Sequence, residues 1–220
     1  MDSLGLAQVT AAIEDAAKRS GAGRGAITLV AVSKGRSNDA VALAAAAGQT
    51  IFGENRQQGL AERIEGDLPA GIEWHFVGPL QSRKVLYVAQ HVTLLHSMDR
   101  ISLAHKWAAA GSTPVLAQFN LAAEPQKSGF DPDDADRVVE ELLACGVDVQ
   151  GVMAIPPMAS DAELTRPHFA RLRQIFERLR DRYDGIVHCS MGMSSDFTVA
   201  IEEGCTMVRV GRAIFEATDH

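Results

Sequence analysis

Eight short β-rich runs, separated by helical patterns, recur between Ile27 and Phe215 of a 220-residue chain, and no other feature limits the fold so tightly. The runs cover 27–33, 50–53, 73–77, 92–96, 115–120, 149–154, 186–190 and 207–210. Strands of this length joined through helices pair in parallel, because each helix is a crossover connection. A parallel strand is buried on both faces, which is why the run ITLVAVS is apolar almost throughout. Helical patterns fill the gaps at 38–47, 57–64, 82–89, 100–110, 132–144, 167–182 and 197–203, and a further amphipathic helix precedes the first strand. Asp131 before Pro132 reads as an N-cap with proline at the first helical position, and Asp196 as a second cap. Gly48, Gly111, Gly146 and Gly204 read as left-handed helix terminators. The expected fold is α/β, a single (β/α)8 TIM barrel with an extra N-terminal helix, with residues 1–220 as one domain; an open doubly wound sheet is the alternative.

Charge and composition remove several functions. A net charge of −7 disfavours neutralising a nucleic-acid backbone, which needs Lys and Arg gathered on one face. Cys145, Cys189 and Cys205 are odd in number and widely spaced, so neither a disulfide framework nor a metal site is implied. The N-terminus lacks the apolar core of a signal peptide, and no apolar run is long enough to span a membrane. A cytoplasmic chain with no nucleic-acid or membrane partner is expected, and no apolar stripe demands a dimer, so a monomer is expected too.

In a barrel the reactive residues sit where strands end, at the C-terminal face. The first strand ends in VAVSK, placing Lys34 at its lip; partial desolvation there would lower the amine's pKa and free it to attack an aldehyde. A lone strand-end lysine can equally snorkel to solvent or pair with a carboxylate. The second strand ends in FGEN, offering Glu54 and Asn55 at the mouth, or an ordinary turn with Asn55 as a helix cap. In WHFVGPLQS, alternation sends Trp74 and Phe76 to one side and His75 to the other, where a satisfied interior histidine is the plainer reading. The last two units, HCSMGMSSDF and MVRVGRAIF, bring Ser190, Gly192, Ser194, Ser195 and Gly211 to the loops that hold phosphate in many barrels. A lysine opposite an anion nest suits either a Schiff-base aldolase or a pyridoxal phosphate protein.

These motifs, together with HSMDR at 96–100, QKSGF at 126–130 and GVMAIP at 151–156, span most of the chain and resemble the pyridoxal phosphate homeostasis protein family. The resemblance implies a single barrel like the N-terminal domain of alanine racemase, with pyridoxal 5′-phosphate held by Lys34 as an internal aldimine. It further implies that Ser190, Ser194 and the backbone at Gly211 and Arg212 bind the phosphate. Arg209 would face the pyridine nitrogen, while Asn55 and His75 would line the ring. The chain departs from the family at Arg212, Arg56 and Arg83, where the family usually has threonine or serine, tyrosine, and asparagine. The implied function is cofactor binding and delivery, with PLP-dependent apoenzymes as possible recipients and little or no turnover. Racemases of the related fold add a β domain and a partner's tyrosine, for which this sequence has no residues to spare. A racemase-like enzyme and a lysine aldolase are the competing readings.

Overall fold

The computed structural model describes residues 4–21, 25–122 and 128–216. Gln126 and Lys127 of the QKSGF motif and the first three residues of the N-terminal helical reading lie outside these. Eight parallel strands close into a barrel in chain order, β1 (Thr28–Val32), β2 (Ile51–Glu54), β3 (Glu73–Phe76), β4 (Leu94–Met98), β5 (Val115–Phe119), β6 (Val149–Ala154), β7 (His188–Ser190) and β8 (Met207–Val210). Closure is made by β8 pairing with β1, which sets Val30 beside Arg209. That pairing excludes the open-sheet alternative.

Nine helices are described: α1 (Leu4–Ser20), α2 (Asn38–Ala46), α3 (Gln57–Ile64), α4 (Val85–His91), α5 (Ile101–Ala110), α6 (Ala135–Ala144), α7 (Arg166–Arg182), α8 (Phe197–Glu202) and α9 (Arg212–Phe215). Buried apolar residues on these helices join the core, with α1 packed on α8 and α9. On α7, Phe169, Leu172, Ile175, Phe176 and Leu179 recur at helical spacing and are buried. The outer core lies between sheet and helices and includes Phe52, Phe76 and Trp107. A smaller inner core of Val30, Leu94, Leu116, Met153 and Met207 fills the barrel. None of the described helices is long and apolar enough to cross a membrane.

Three local expectations are corrected. The 82–89 helix opens as a 3-10 turn over Ser82–Lys84, and 132–144 likewise opens with Pro132–Asp134, although Asp131 does accept from the Asp133 amide at 2.9 Å. Gly48, Gly146 and Gly204 end their helices at positive φ, but Gly111 is near-extended at φ 158° and ψ −167°. Asp196 caps nothing on α8; its carboxylate instead accepts from the Met193 amide at 2.7 Å, within its own loop. Glycine is required at position 5, where a Cβ would lie 2.3 Å from the Ile214 carbonyl oxygen, so α1 and α9 pack at backbone distance.

Candidate functional site

A polar chain crosses the barrel just below its C-terminal mouth. His75 on β3, His96 on β4, Ser190 on β7 and Arg209 on β8 are all buried. His75 Nδ1 lies 3.0 Å from His96 Nε2, and His96 Nδ1 lies 3.0 Å from Ser190 Oγ. Arg209 donates to Ser190 Oγ at 2.5 Å and to the Ala154 carbonyl at 3.0 Å. Strand register explains the gathering, because Gly53 pairs with His75, Met153 with Ser190, and Val30 with Arg209, so these residues share the inward face.

The protons along this chain are coupled. A guanidinium only donates, so Ser190 Oγ accepts from Arg209 and keeps its own proton to give. If that proton goes to His96 Nδ1, then His96 donates from Nε2 to His75 Nδ1 and His75 carries its proton on Nε2. Burial, reinforced by nearby His188, holds His75 down to about 4, and burial holds His96 well below the usual histidine range, so both rings are neutral at physiological pH. No described buried side-chain nitrogen or oxygen lacks a partner, so the Nε2 of His75, which no described protein group engages, reaches solvent. Burial lowers Arg209 to about 10, which leaves it cationic at neutral pH. Its contacts are a hydroxyl and a carbonyl; Asp196 attracts it from a distance.

Lys34 lies two residues beyond β1 in a tight turn closed by the Arg36 amide on the Ser33 carbonyl at 3.0 Å, with Gly35 at φ 70°. Positive φ at the third turn position is what a type II turn asks of glycine. Lys34 is exposed, which corrects the expected partial desolvation. Across the β8–β1 junction, the Gly211 and Ala213 amides donate to Ser194 Oγ at 3.3 and 3.4 Å. Gly192 sits at φ 88°, where a Cβ would come within 2.6 Å of Ala200 Cβ, so the loop before Ser194 packs onto α8. Asn55 is half-buried directly after β2, against Gly78, whose added Cβ would lie 2.2 Å from the Asn55 carbonyl oxygen.

Two predicted residues fall elsewhere than expected. Ser190 spends its hydroxyl on the polar chain, so Ser194 is the serine that stands with the helix amides. Glu54 does not face the mouth; it shares its strand face with Phe52 and is buried against α3 in an ion pair with Arg63 at 3.1 Å. His96, Ala213 and Arg63 were not singled out as site residues. The signal for His96 was its place inside a fully buried strand, and for Arg63 its helical spacing from buried Leu60. Arg56, Arg83 and Arg212 are exposed at the rim. A cavity of about 200 Å³ lies just beyond the ends of β3, β5 and β6, lined by Val77, Pro79, Gln118, Ser128 and Ile155 among others.

The mouth thus combines a primary amine, a cluster of amide and hydroxyl groups at a helix start, a buried cation and a neutral imidazole N–H. Such a set fits an aromatic aldehyde that carries a phosphate and a ring acceptor.

The chain matches the alanine racemase N-terminal domain family over residues 6–219. It is 40% identical over 227 residues to the pyridoxal phosphate homeostasis protein of Escherichia coli, covering 98% of this chain and 96% of that one. It is 37% identical over 217 residues to the protein of the same name in Aquifex aeolicus, covering 96% and 95%. Among solved structures, PipY of Synechococcus elongatus with PLP bound superposes with a TM-score of 0.78 at 32% identity, over 92% of this chain and 99% of that one.

Proposed function

The chain belongs to the alanine racemase N-terminal domain family, and from that premise we propose that it is a cytoplasmic pyridoxal 5′-phosphate-binding protein of cofactor homeostasis, built as one domain and acting as a monomer. The observation that carries the reading is the β8–β1 junction, which sets the strand that leads to Lys34 beside the strand bearing Arg209, with the Ser194 and Gly211 cluster directly beyond. Pyridoxal phosphate, when bound, supplies an aldehyde to the lysine amine and an electron-poor ring.

Lys34 would hold the cofactor through its aldehyde. Ser194 and the backbone at Gly211 and Arg212 would receive the phosphate. Arg209 would donate to the ring nitrogen and, being cationic, would keep that nitrogen unprotonated, which would weaken the ring as an electron sink. His75 lends its Nε2 proton to a ring substituent, and Asn55 closes the side above β2. Exposure of Lys34 leaves the reacting centre open to water, which favours exchange of the ligand over turnover. PLP-dependent apoenzymes are the natural recipients.

The test is the visible absorbance of the purified protein after addition of pyridoxal phosphate and desalting, beside Lys34→Ala. A band that borohydride abolishes in the wild type and that the variant lacks is the expected result. No band in either protein overturns the reading, and turnover of an amino acid that depends on Lys34 would replace delivery with catalysis. Transfer of the ligand to an added apoenzyme, and the mass in solution, test the recipient and the monomer.

A further inference from the structure

The Arg63 side chain hydrogen-bonds both ends of the Lys34 turn and two residues that flank it, Glu54 and Asn38. Its Nε donates to Glu54 Oε1 at 3.1 Å, one terminal nitrogen donates to the Ser33 carbonyl at 3.0 Å and the Arg36 carbonyl at 2.7 Å, and the other donates to Asn38 Oδ1. Ser33 adds a hydroxyl bond to Glu54 Oε1 at 2.7 Å and an amide bond to the Gly53 carbonyl at 3.0 Å. Both charged side chains are almost wholly buried, at 4% and 2% exposure. On α3, Gly59 leaves room for the carboxylate, since a Cβ there would stand 2.7 Å from Glu54 Oε2.

A buried ion pair is a weak source of stability, because desolvating two charges offsets most of their attraction. Its geometric effect is larger. One planar guanidinium reads the residues at both ends of the turn, 33 and 36, and the first residue of the next helix, 38, and so fixes the path of the backbone that carries an otherwise exposed lysine. We infer that Arg63, oriented by Glu54, is a positioning residue: it holds the 33–38 loop so that Lys34 stands pre-oriented for condensation with the aldehyde. This rests on the reading of Lys34 given above. In the condensation the neutral Lys34 amine adds to the carbonyl carbon, and water leaves with the carbonyl oxygen and the amine's two protons as the C=N bond forms. Arg63 touches none of these atoms. Its effect is on how often the amine is in reach.

Lysine at position 63 can meet Glu54 but, lacking the fork, cannot also bridge Ser33, Arg36 and Asn38. The experiment compares wild type with Arg63→Lys, using two probes. Pyridoxal phosphate reads condensation through its borohydride-reducible band, and pyridoxine 5′-phosphate, which has the same ring and phosphate but no aldehyde, reads non-covalent binding. Arg63→Lys should slow condensation and weaken pyridoxal phosphate binding about tenfold across the pH range, with pyridoxine phosphate binding within twofold of wild type. Asn38→Ala, half-buried and at the loop's end, should shift the same ratio more weakly, and it carries the test if Arg63→Lys does not fold. Unchanged condensation in the variants, or equal weakening of both probes, overturns the positioning role. Absence of the reducible band in the wild type instead overturns the assignment of Lys34 itself.

Discussion

The Ser190 hydroxyl stands 3.0 Å from the Nδ1 of His96 and also accepts from Arg209, and so links a buried cation on β8 to two histidines on the far side of the barrel. The tautomers of the two rings are coupled, since reversing one neutral ring alone would leave two protons or two lone pairs facing each other between His75 and His96.

Ser190→Ala removes the shared partner of Arg209 and His96 and leaves a buried guanidinium N–H and an imidazole nitrogen unsatisfied. Stability should fall by about 1–3 kcal/mol, the usual range for orphaned buried polar groups, as read from urea denaturation. Ser190→Thr, which restores the hydroxyl, should recover part of the loss.

His75 sits at about 4 when folded and near the ordinary histidine value when unfolded, so between those values the unfolded chain binds more protons. Stability is therefore present above pH 6.5 and is lost as the pH falls towards 4, by roughly 3 kcal/mol for this one ring at about 1.4 kcal/mol per unit. His96, also depressed, acts in the same direction. Denaturation midpoints at pH 7 and pH 5 should differ markedly in the wild type and less in His75→Gln; equal slopes in the two proteins would refute the assignment.

Gly151→Ala should be costly although alanine favours neither turn nor strand strongly. The new Cβ would lie 2.0 Å from the His188 carbonyl oxygen, a backbone atom on the neighbouring strand that cannot swing aside. A loss of about 1–3 kcal/mol is expected from such overpacking, measured by thermal unfolding.

On the surface, Arg166 meets Glu163, Glu202 and Glu203 at 2.7–2.9 Å, and Glu202 also meets Arg19 of α1 at 3.0 Å. Partly exposed pairs of this kind are worth on the order of 1 kcal/mol or less each. Glu202→Gln should lower stability by no more than about 1 kcal/mol at low salt, and the difference should shrink in high salt as screening takes over.

All eight strands were legible because burial on both faces leaves an apolar signature that turns and glycines interrupt. What stayed hidden was mostly a matter of facing. Glu54 lies next to Asn55 in sequence, and proximity to a strand end suggested a mouth residue; its parity with Phe52 assigned it to the helix side. Lys34 was found from its position alone, while its exposure depended on a turn set by Gly35 and Arg63. His96 escaped notice because its role exists only once β4 and β7, ninety-four residues apart at His96 and Ser190, face each other across a closed sheet. Helix boundaries slipped where a first turn was 3-10, a choice that capping residues such as Asp131 do not decide.

Because the barrel is joined by pairing its first strand with its last, the strand that leads to Lys34 and the strand that bears Arg209 come from opposite ends of the sequence to the same seam. A ligand gripped from both sides would act there as a clasp. No such grip can form on a nascent chain until the eighth strand has emerged, so acquisition of the ligand would report that synthesis and closure are complete. Partial opening of the seam would release the ligand before the rest of the barrel unfolds.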